Sequence, residues 1–96
     1  MLTGKQKGFL RSLANTIDPI IQIGKGGISP TVLSQVDEAL EARELIKARA
    51  LKSCSEVQRA LAEQVAEALN AEVVQIIGRN FLIYREALEA PQIRLP

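Results

Sequence analysis

The feature that most limits the possible folds is a strand–helix pattern that occurs twice in succession. Two short apolar runs, Ile20–Ile23 and Leu45–Leu51, are each followed by a segment whose apolar residues recur at helical intervals, at about 30–43 and 56–70. A strand, a helix and a second strand in this order normally form a right-handed crossover between parallel strands. The pattern therefore predicts an α/β fold with parallel neighbours in its sheet.

Each predicted helix starts with residues that are typical of helix starts, because capping side chains satisfy free amides of the first turn and proline is favoured as the first helical residue. These residues are Thr3 and Gln6 for a helix over 4–16, Ser29 and Pro30 for the helix at about 30–43, and Ser55 and Gln58 for the helix near 56–70. Pro19 cannot continue the first helix, and Asn70 is a plausible end for the third.

Two further strands, Val73–Ile77 and Phe81–Arg85, are separated by Gly78-Arg79-Asn80, which predicts a tight hairpin. The complete order is α-β-α-β-α-β-β, and the fold class is α/β with a small four-stranded mixed sheet and packed helices. Residues 90–96 contain two prolines and are predicted to be an extended tail. The length of 96 residues, without repeat or linker, predicts one domain over 1–96.

The composition excludes most kinds of enzyme site. The chain has no histidine and one cysteine, Cys54, so metal centres and catalysis that depends on histidine lack their usual residues. We therefore predict no catalytic residue, no metal, no cofactor and no small-molecule substrate. The single cysteine, with no apolar run of about 18 residues and no secretory signal, favours a cytoplasmic protein without a membrane partner.

The formal net charge of +1 conceals blocks of opposite sign. The net charge is +3 over residues 1–29, −3 over 30–46, +3 over 47–52, −3 over 53–72 and +1 over the remainder. If the basic blocks fold onto one face, that face can attract a polyanion despite the near-neutral total.

The segment Gly24-Lys25-Gly26-Gly27 is the most informative part of the sequence. It lies between a strand and a helix start, where glycine permits close backbone approach, free amides carry partial positive charge and Lys25 adds a full charge. This combination suits a phosphate group. Its spacing differs from that of a Walker A loop. An ordinary strand-to-helix turn that needs glycine for its geometry is the alternative.

Four other cations also allow two interpretations. Lys7 and Arg11 lie one helical turn apart, where like charges do not stabilise a helix, so they indicate a solvated face or a binding face. Lys47 and Arg49 fall on one face of a strand, as snorkelling side chains of an edge strand or as nucleic-acid contacts. The chain has only three aromatic residues, so a nucleic acid would be held mainly through its phosphates.

Six segments together carry a family pattern. They are Leu2-Thr3-Gly4-Lys5-Gln6-Lys7, Ile23-Gly24-Lys25-Gly26-Gly27-Ile28-Ser29, Glu44-Leu45-Ile46-Lys47, Val74-Gln75-Ile76-Ile77-Gly78-Arg79, Leu82-Ile83-Tyr84-Arg85 and Ile93-Arg94-Leu95-Pro96. Their combination resembles the CRM domain, in particular its stand-alone bacterial form, the YhbY/YqeI type. The resemblance covers essentially the whole chain. One departure is Gly26, where some relatives carry a polar residue.

The resemblance implies a non-enzymatic RNA-binding domain with a fold akin to the C-terminal domain of bacterial translation initiation factor three. It also implies a GxxG loop similar to the one with which KH domains clamp RNA backbone. The implied partner is ribosomal RNA in precursors of the large ribosomal subunit, during ribosome assembly. The expected RNA-binding residues are Gly24, Lys25, Gly26 and Gly27 with Lys5, Lys7, Arg11, Lys47 and Arg49. The alternative is a protein-interaction module whose acidic helices dock a ribosomal protein or an assembly factor.

Overall fold

The computed structural model describes residues 2–54 and 56–96. In chain order, the described residues form α1 (Gly4–Ala14), β1 (Ile21–Ile23), α2 (Pro30–Arg43), β2 (Leu45–Ala50), α3 (Gln58–Leu69), β3 (Glu72–Ile77) and β4 (Asn80–Tyr84). The predicted element order and the four-stranded mixed sheet are confirmed. Across these two ranges, every helix is too short or too polar to cross a lipid bilayer.

The start signals of the first two helices act as predicted. Thr3 Oγ1 accepts from the Gln6 amide at 3.1 Å, and Gln6 Oε1 accepts from the Thr3 amide at 2.9 Å, which completes a capping box. Ser29 Oγ accepts from the Val32 amide at 3.2 Å, and Pro30 is the first residue of α2. Residues close in sequence therefore determine where these two helices begin.

Two predicted helix boundaries are wrong by two residues. The helix predicted over 4–16 ends at Ala14, because the amides of Thr16 and Ile17 donate three residues back and form a tighter turn. The helix predicted from residue 56 begins at Gln58, after Val57, whose side chain cannot cap it. Ser55, its predicted cap, lies outside the described residues. The third helix ends at Asn70 as predicted, in the left-handed conformation.

The last strand, β4, occupies an internal position in the sheet. The strand order is β1-β2-β4-β3, with β1 parallel to β2 and β4 antiparallel to both of its neighbours. The prediction of parallel neighbours is therefore correct for β1 and β2 but wrong for β2 and β3, which run parallel without being neighbours because β4 lies between them. β2 is also internal, so the edge-strand interpretation of Lys47 and Arg49 is wrong.

The β3–β4 hairpin is tighter than predicted. Asn80 belongs to β4 and pairs with Ile77, which leaves Gly78 and Arg79 as a two-residue turn. Gly78 has a φ of 55°, a conformation that glycine adopts without steric cost. The shift places the Asn80 side chain on a face of the sheet instead of in a loop.

Helices cover the two faces of the sheet unequally. α2 and α3 pack on one face and enclose the larger core, in which Ile23, Leu40, Leu61 and Phe81 are buried. α1 and the C-terminal segment cover only part of the opposite face, which we call the α1 face; they pack there around Leu10, Ala14, Leu45, Val74, Leu82 and Tyr84. Strand side chains alternate between faces, so Lys47 and Arg49 point to the α1 face with Leu45.

The C-terminal segment, residues 85–96, contains no helix or strand, and Glu44 anchors it to the domain. This side chain is 0% exposed. It accepts hydrogen bonds from the amides of Ala87 at 2.8 Å, Gln92 at 2.6 Å and Ile93 at 2.7 Å. Burial by itself raises the pKa of Glu44, but these three backbone donors outweigh it and hold the pKa below its ordinary value. Ile93 and Leu95 then pack against the smaller core.

Candidate nucleic-acid interface

Three turns meet at one end of the sheet, which we call the loop end. They are the GxxG loop Gly24–Gly27 after β1, the turn 51–54 after β2 and the hairpin turn 78–79. The last residues of β1 and β2 are paired, and the Ala50 amide donates to the Arg79 carbonyl at 2.8 Å. A Cβ added at Gly24 would lie 3.6 Å from Ser53 Oγ, so the first two turns are in contact.

The GxxG loop is a closed turn with an exposed tip. The Gly27 amide donates to the Gly24 carbonyl at 3.0 Å, and both Lys25 and Gly26 are exposed. Gly27 is buried with a φ of 63°, and a Cβ added there would lie 2.6 Å from Glu56 Oε2. A Cβ at Gly26 would meet nothing within 4 Å. The positive φ therefore favours glycine at position 27, whereas position 26 has room for a side chain.

The helix start beside this loop has fewer free amides than the sequence indicates. Pro30 has no N–H, Ser29 Oγ accepts from Val32, and the Ser29 carbonyl accepts from the Leu33 amide at 2.9 Å. Ser29 and Pro30, which mark the helix start in the sequence, are also the residues that leave few of its backbone amides free. The exposed tip with Lys25, rather than the terminus of α2, is thus the part of the loop suited to a phosphate.

One residue from each strand forms a row across the α1 face, next to the loop end. The register pairs Gln22 with Arg49, Arg49 with Asn80, and Asn80 with Ile77. Adjacent strands lie about 4.8 Å apart, so this cross-strand row spans roughly 14 Å. Gln22, Arg49 and Ile77 are exposed and Asn80 is half-buried, because α1 covers the other part of this face.

The predicted cations of β2 have different roles. Arg49 is exposed in the cross-strand row. Lys47 is half-buried, and its Nζ donates to the Ala14 carbonyl at 3.2 Å. A cation at the C-terminus of a helix satisfies a free carbonyl and interacts favourably with the helix dipole. Lys47 therefore holds α1 on the sheet, and Arg49 is the strand cation that faces solvent.

The predicted cations of α1 do not form one cluster. Arg11 is exposed at the C-terminal end of α1, where it lines a cleft together with Lys47. Lys7 lies one turn earlier on the same flank, and Lys5 projects from the outer side of the helix. The first turn of α1 lies at the end of the sheet remote from the loop end, since the Leu2 amide donates to Glu72 Oε1, at the start of β3.

Sequence reasoning does not identify two further cations at the loop end, Lys52 and Arg79. Both are exposed, one in the turn after β2 and the other in the hairpin turn. Lys52 lies near the GxxG loop because β1 and β2 are parallel neighbours, whereas the proximity of Arg79 depends on β4 pairing with β2. No local pattern signals that pairing, and only the charge of these two residues could have suggested them.

Cations and carboxylates are unevenly distributed over the helices. α1 carries three cations and no carboxylate, whereas α2 and α3 carry more carboxylates than cations. The one ion pair in the described part of the chain joins Arg85 and Asp37, at 2.8 Å. Within that part, the cations of the loop end and the α1 face therefore have no carboxylate partner within salt-bridge distance.

The carboxylates near the end of α2 mostly serve the protein's own structure. Asp37 pairs with Arg85, Glu44 anchors the C-terminal segment, and Glu41 accepts from the amides of Leu88 at 3.0 Å and Glu89 at 3.1 Å. Those two backbone donors hold the pKa of Glu41 below its ordinary value. Of the α2 carboxylates, Asp37 is thus neutralised by Arg85 and Glu41 is occupied by backbone amides, whereas Glu38 stays exposed for the alternative acidic docking surface.

The sequence and the fold are both similar to those of known proteins. A model of the CRS1 / YhbY (CRM) domain family matches residues 2–85. The Probable RNA-binding protein YqeI of Bacillus subtilis is 48% identical over 96 residues, which is the full length of both chains. An RNA-binding protein of Haemophilus influenzae is 34% identical over 95 residues, 99% of this chain and 95% of that protein.

A solved structure is also similar over its whole length. It is the solution structure of a hypothetical protein from Staphylococcus aureus, which is 53% identical to this chain. The TM-score is 0.83, and the match covers 100% of each chain. This similarity agrees with the helix and strand order described above.

Proposed function

This chain belongs to the CRS1 / YhbY (CRM) domain family, and we propose that it is a non-enzymatic RNA-binding protein, one domain over residues 1–96, that holds RNA mainly by its sugar–phosphate backbone. The names of two similar proteins, from Bacillus subtilis and Haemophilus influenzae, support RNA as the partner. Contacts to phosphates supply affinity without requiring a particular sequence.

The observation that carries the proposal is the set of cations at the loop end without carboxylate partners in the described residues. Lys25 stands at the exposed tip of the GxxG loop, and Lys52, Arg79 and Arg49 lie on the adjacent turns and strand. In the proposed complex, Lys25 and the amides at the loop tip bind one phosphate. The flanking cations bind neighbouring phosphates along the same strand of RNA.

The RNA then continues over the α1 face. Arg11 and Lys7 share one flank of α1 and extend the basic track away from the loop end. Lys47 contributes as a positioning residue, because its ammonium holds the C-terminus of α1. Lys5 lies on the outer side of α1 and contacts RNA only if the strand wraps around that helix.

Binding of single-stranded RNA should weaken steeply with salt. If four to six phosphates are neutralised, a log–log plot of affinity against salt concentration has a slope of roughly −3 to −4, because each contact releases counterions. Fluorescence anisotropy with labelled RNAs of unrelated sequence measures this slope. A flat response would contradict a phosphate-based mechanism.

The family resemblance supports a more specific role, in which the RNA is ribosomal RNA of the precursor large subunit and the protein assists ribosome assembly in the cytoplasm. Ribosomal proteins would then be secondary partners. Crosslinking in cells, followed by sequencing of the attached RNA, should recover large-subunit ribosomal RNA from immature particles. Enrichment of other RNAs would contradict this role while leaving RNA binding intact.

A further inference from the structure

A cleft with a volume of about 110 Å³ lies on the α1 face between the C-terminal end of α1 and the cross-strand row. Its lining combines polar and apolar side chains. The polar ones include Arg11, Asn15, Gln75 and Asn80, and the apolar ones include Ile77 and Leu82. Lys47 also borders the cleft, but its ammonium donates to the Ala14 carbonyl.

Asn80 has a buried side-chain atom in this cleft with no hydrogen-bond partner among the described residues. This atom is Oδ1, a hydrogen-bond acceptor. Buried polar atoms nearly always have a partner, because an unsatisfied acceptor has lost its water without compensation. Because this oxygen is buried, it would accept from the N–H donor of a ligand in the cleft after the Asn80 side chain rotates toward it.

Ile77 adds a second and independent observation. It is the cross-strand neighbour of Asn80 and is 59% exposed, although it is a large apolar side chain at the end of a strand. An apolar surface beside an unsatisfied acceptor suits a flat, partly polar ring. A phosphate oxygen would not satisfy Asn80 Oδ1, since both atoms are acceptors, and its charge would lie against the apolar side chain of Ile77.

We propose that this cleft binds one unpaired nucleobase of the RNA, with Asn80 Oδ1 accepting a hydrogen bond from the N–H edge of the base and Ile77 packing against its ring. The inference rests on the proposed function and extends it. The cations of the loop end supply affinity for any RNA, and the cleft supplies a preference among bases. Asn15 and Gln75 also line the cleft, and their side-chain amides can both donate to and accept from the edge of a base.

The test compares the wild-type protein with Asn80→Ala and with the matched control Gln35→Ala, which removes an exposed amide from α2, on the opposite side of the sheet. Anisotropy is measured with short single-stranded RNAs that contain only A, C, G or U. Wild type should discriminate among the four. Asn80→Ala should lose about fivefold in affinity for the preferred RNA, with an unchanged salt slope. Gln35→Ala should behave as wild type.

A second variant and a free ligand complete the design. Circular dichroism shows whether Asn80→Ala folds, and if it does not, Ile77→Ser at the exposed wall of the cleft should reduce the same discrimination. Free nucleosides, added alone, should bind far more weakly than the RNAs, because they lack the phosphate contacts.

The outcomes separate this inference from the proposed function. If the wild type binds all four RNAs with equal affinity, and Asn80→Ala and Ile77→Ser do not change these affinities, the base-binding cleft is wrong. Phosphate binding then remains supported. Nucleosides that bind as tightly as RNA would assign the cleft to a free small ligand and also overturn the base-binding cleft. If the wild type binds none of the RNAs, the proposed function itself is wrong and the cleft inference falls with it.

Discussion

Glu44→Gln is expected to lower the free energy of unfolding by about 3 kcal/mol near neutral pH. The carboxylate is fully buried and accepts three backbone hydrogen bonds that tie the segment after β4 to the start of β2. A glutamine has one acceptor oxygen in place of two and directs an NH₂ group at backbone donors. Urea denaturation of the two proteins measures the difference.

The effect of Glu44 should depend on pH in a defined direction. The pKa of Glu44 is lowered in the folded protein, so its stabilisation is fully present above the unfolded-state pKa of about 4.3. It is lost as the pH falls through the lower, folded-state pKa. The wild type and Glu44→Gln should therefore differ most above about pH 5 and converge in acid.

Glu38→Gln provides the matched control, because it makes the same chemical change at an exposed position of α2. It should leave the free energy of unfolding nearly unchanged. A Glu44→Gln protein as stable as this control would show that the buried carboxylate does not anchor the C-terminal segment. A stability loss that stays constant down to pH 3, well below about 4.3, would show that charge is not the cause.

The double variant Lys25→Ala, Arg49→Ala is expected to bind single-stranded RNA about 50-fold more weakly at a salt concentration near 50 mM. Both side chains are exposed, one at the tip of the GxxG loop and one in the cross-strand row. Each lost phosphate contact also removes about 0.7 from the salt slope, so the slope should become shallower by about 1.4. The loss should be similar for RNAs of unrelated sequence, because phosphates carry no base identity.

Arg43→Ala, Arg94→Ala is the matched control for charge. Both residues are exposed and lie by the Glu44 anchor, at the end of the sheet where β2 begins, remote from the loop end. If net charge alone governs affinity, the two double variants will weaken binding equally. A selective effect of the Lys25 and Arg49 pair supports a defined interface at the loop end, and unchanged affinity in that pair removes the interface.

Local sequence patterns predict much of the backbone but little of the site. The capping box of Thr3 and Gln6, the Ser29 cap and the helix end at Asn70 are confirmed because each depends on residues within about four positions. Lys47 shows the limit of such patterns. Its period of two correctly predicts a strand face, but the helix carbonyl that its ammonium binds lies in α1.

The amino-acid sequence by itself determines the order of helices and strands and the family to which the chain belongs. Only the tertiary structure decides that β4 lies between β2 and β3. That placement brings Arg49, Asn80 and Ile77 side by side and moves Arg79 next to the GxxG loop. Hydrophobic periodicity specifies which face of a strand is buried but not which strand lies beside it, because pairing is settled by the joint packing of all the elements in one core.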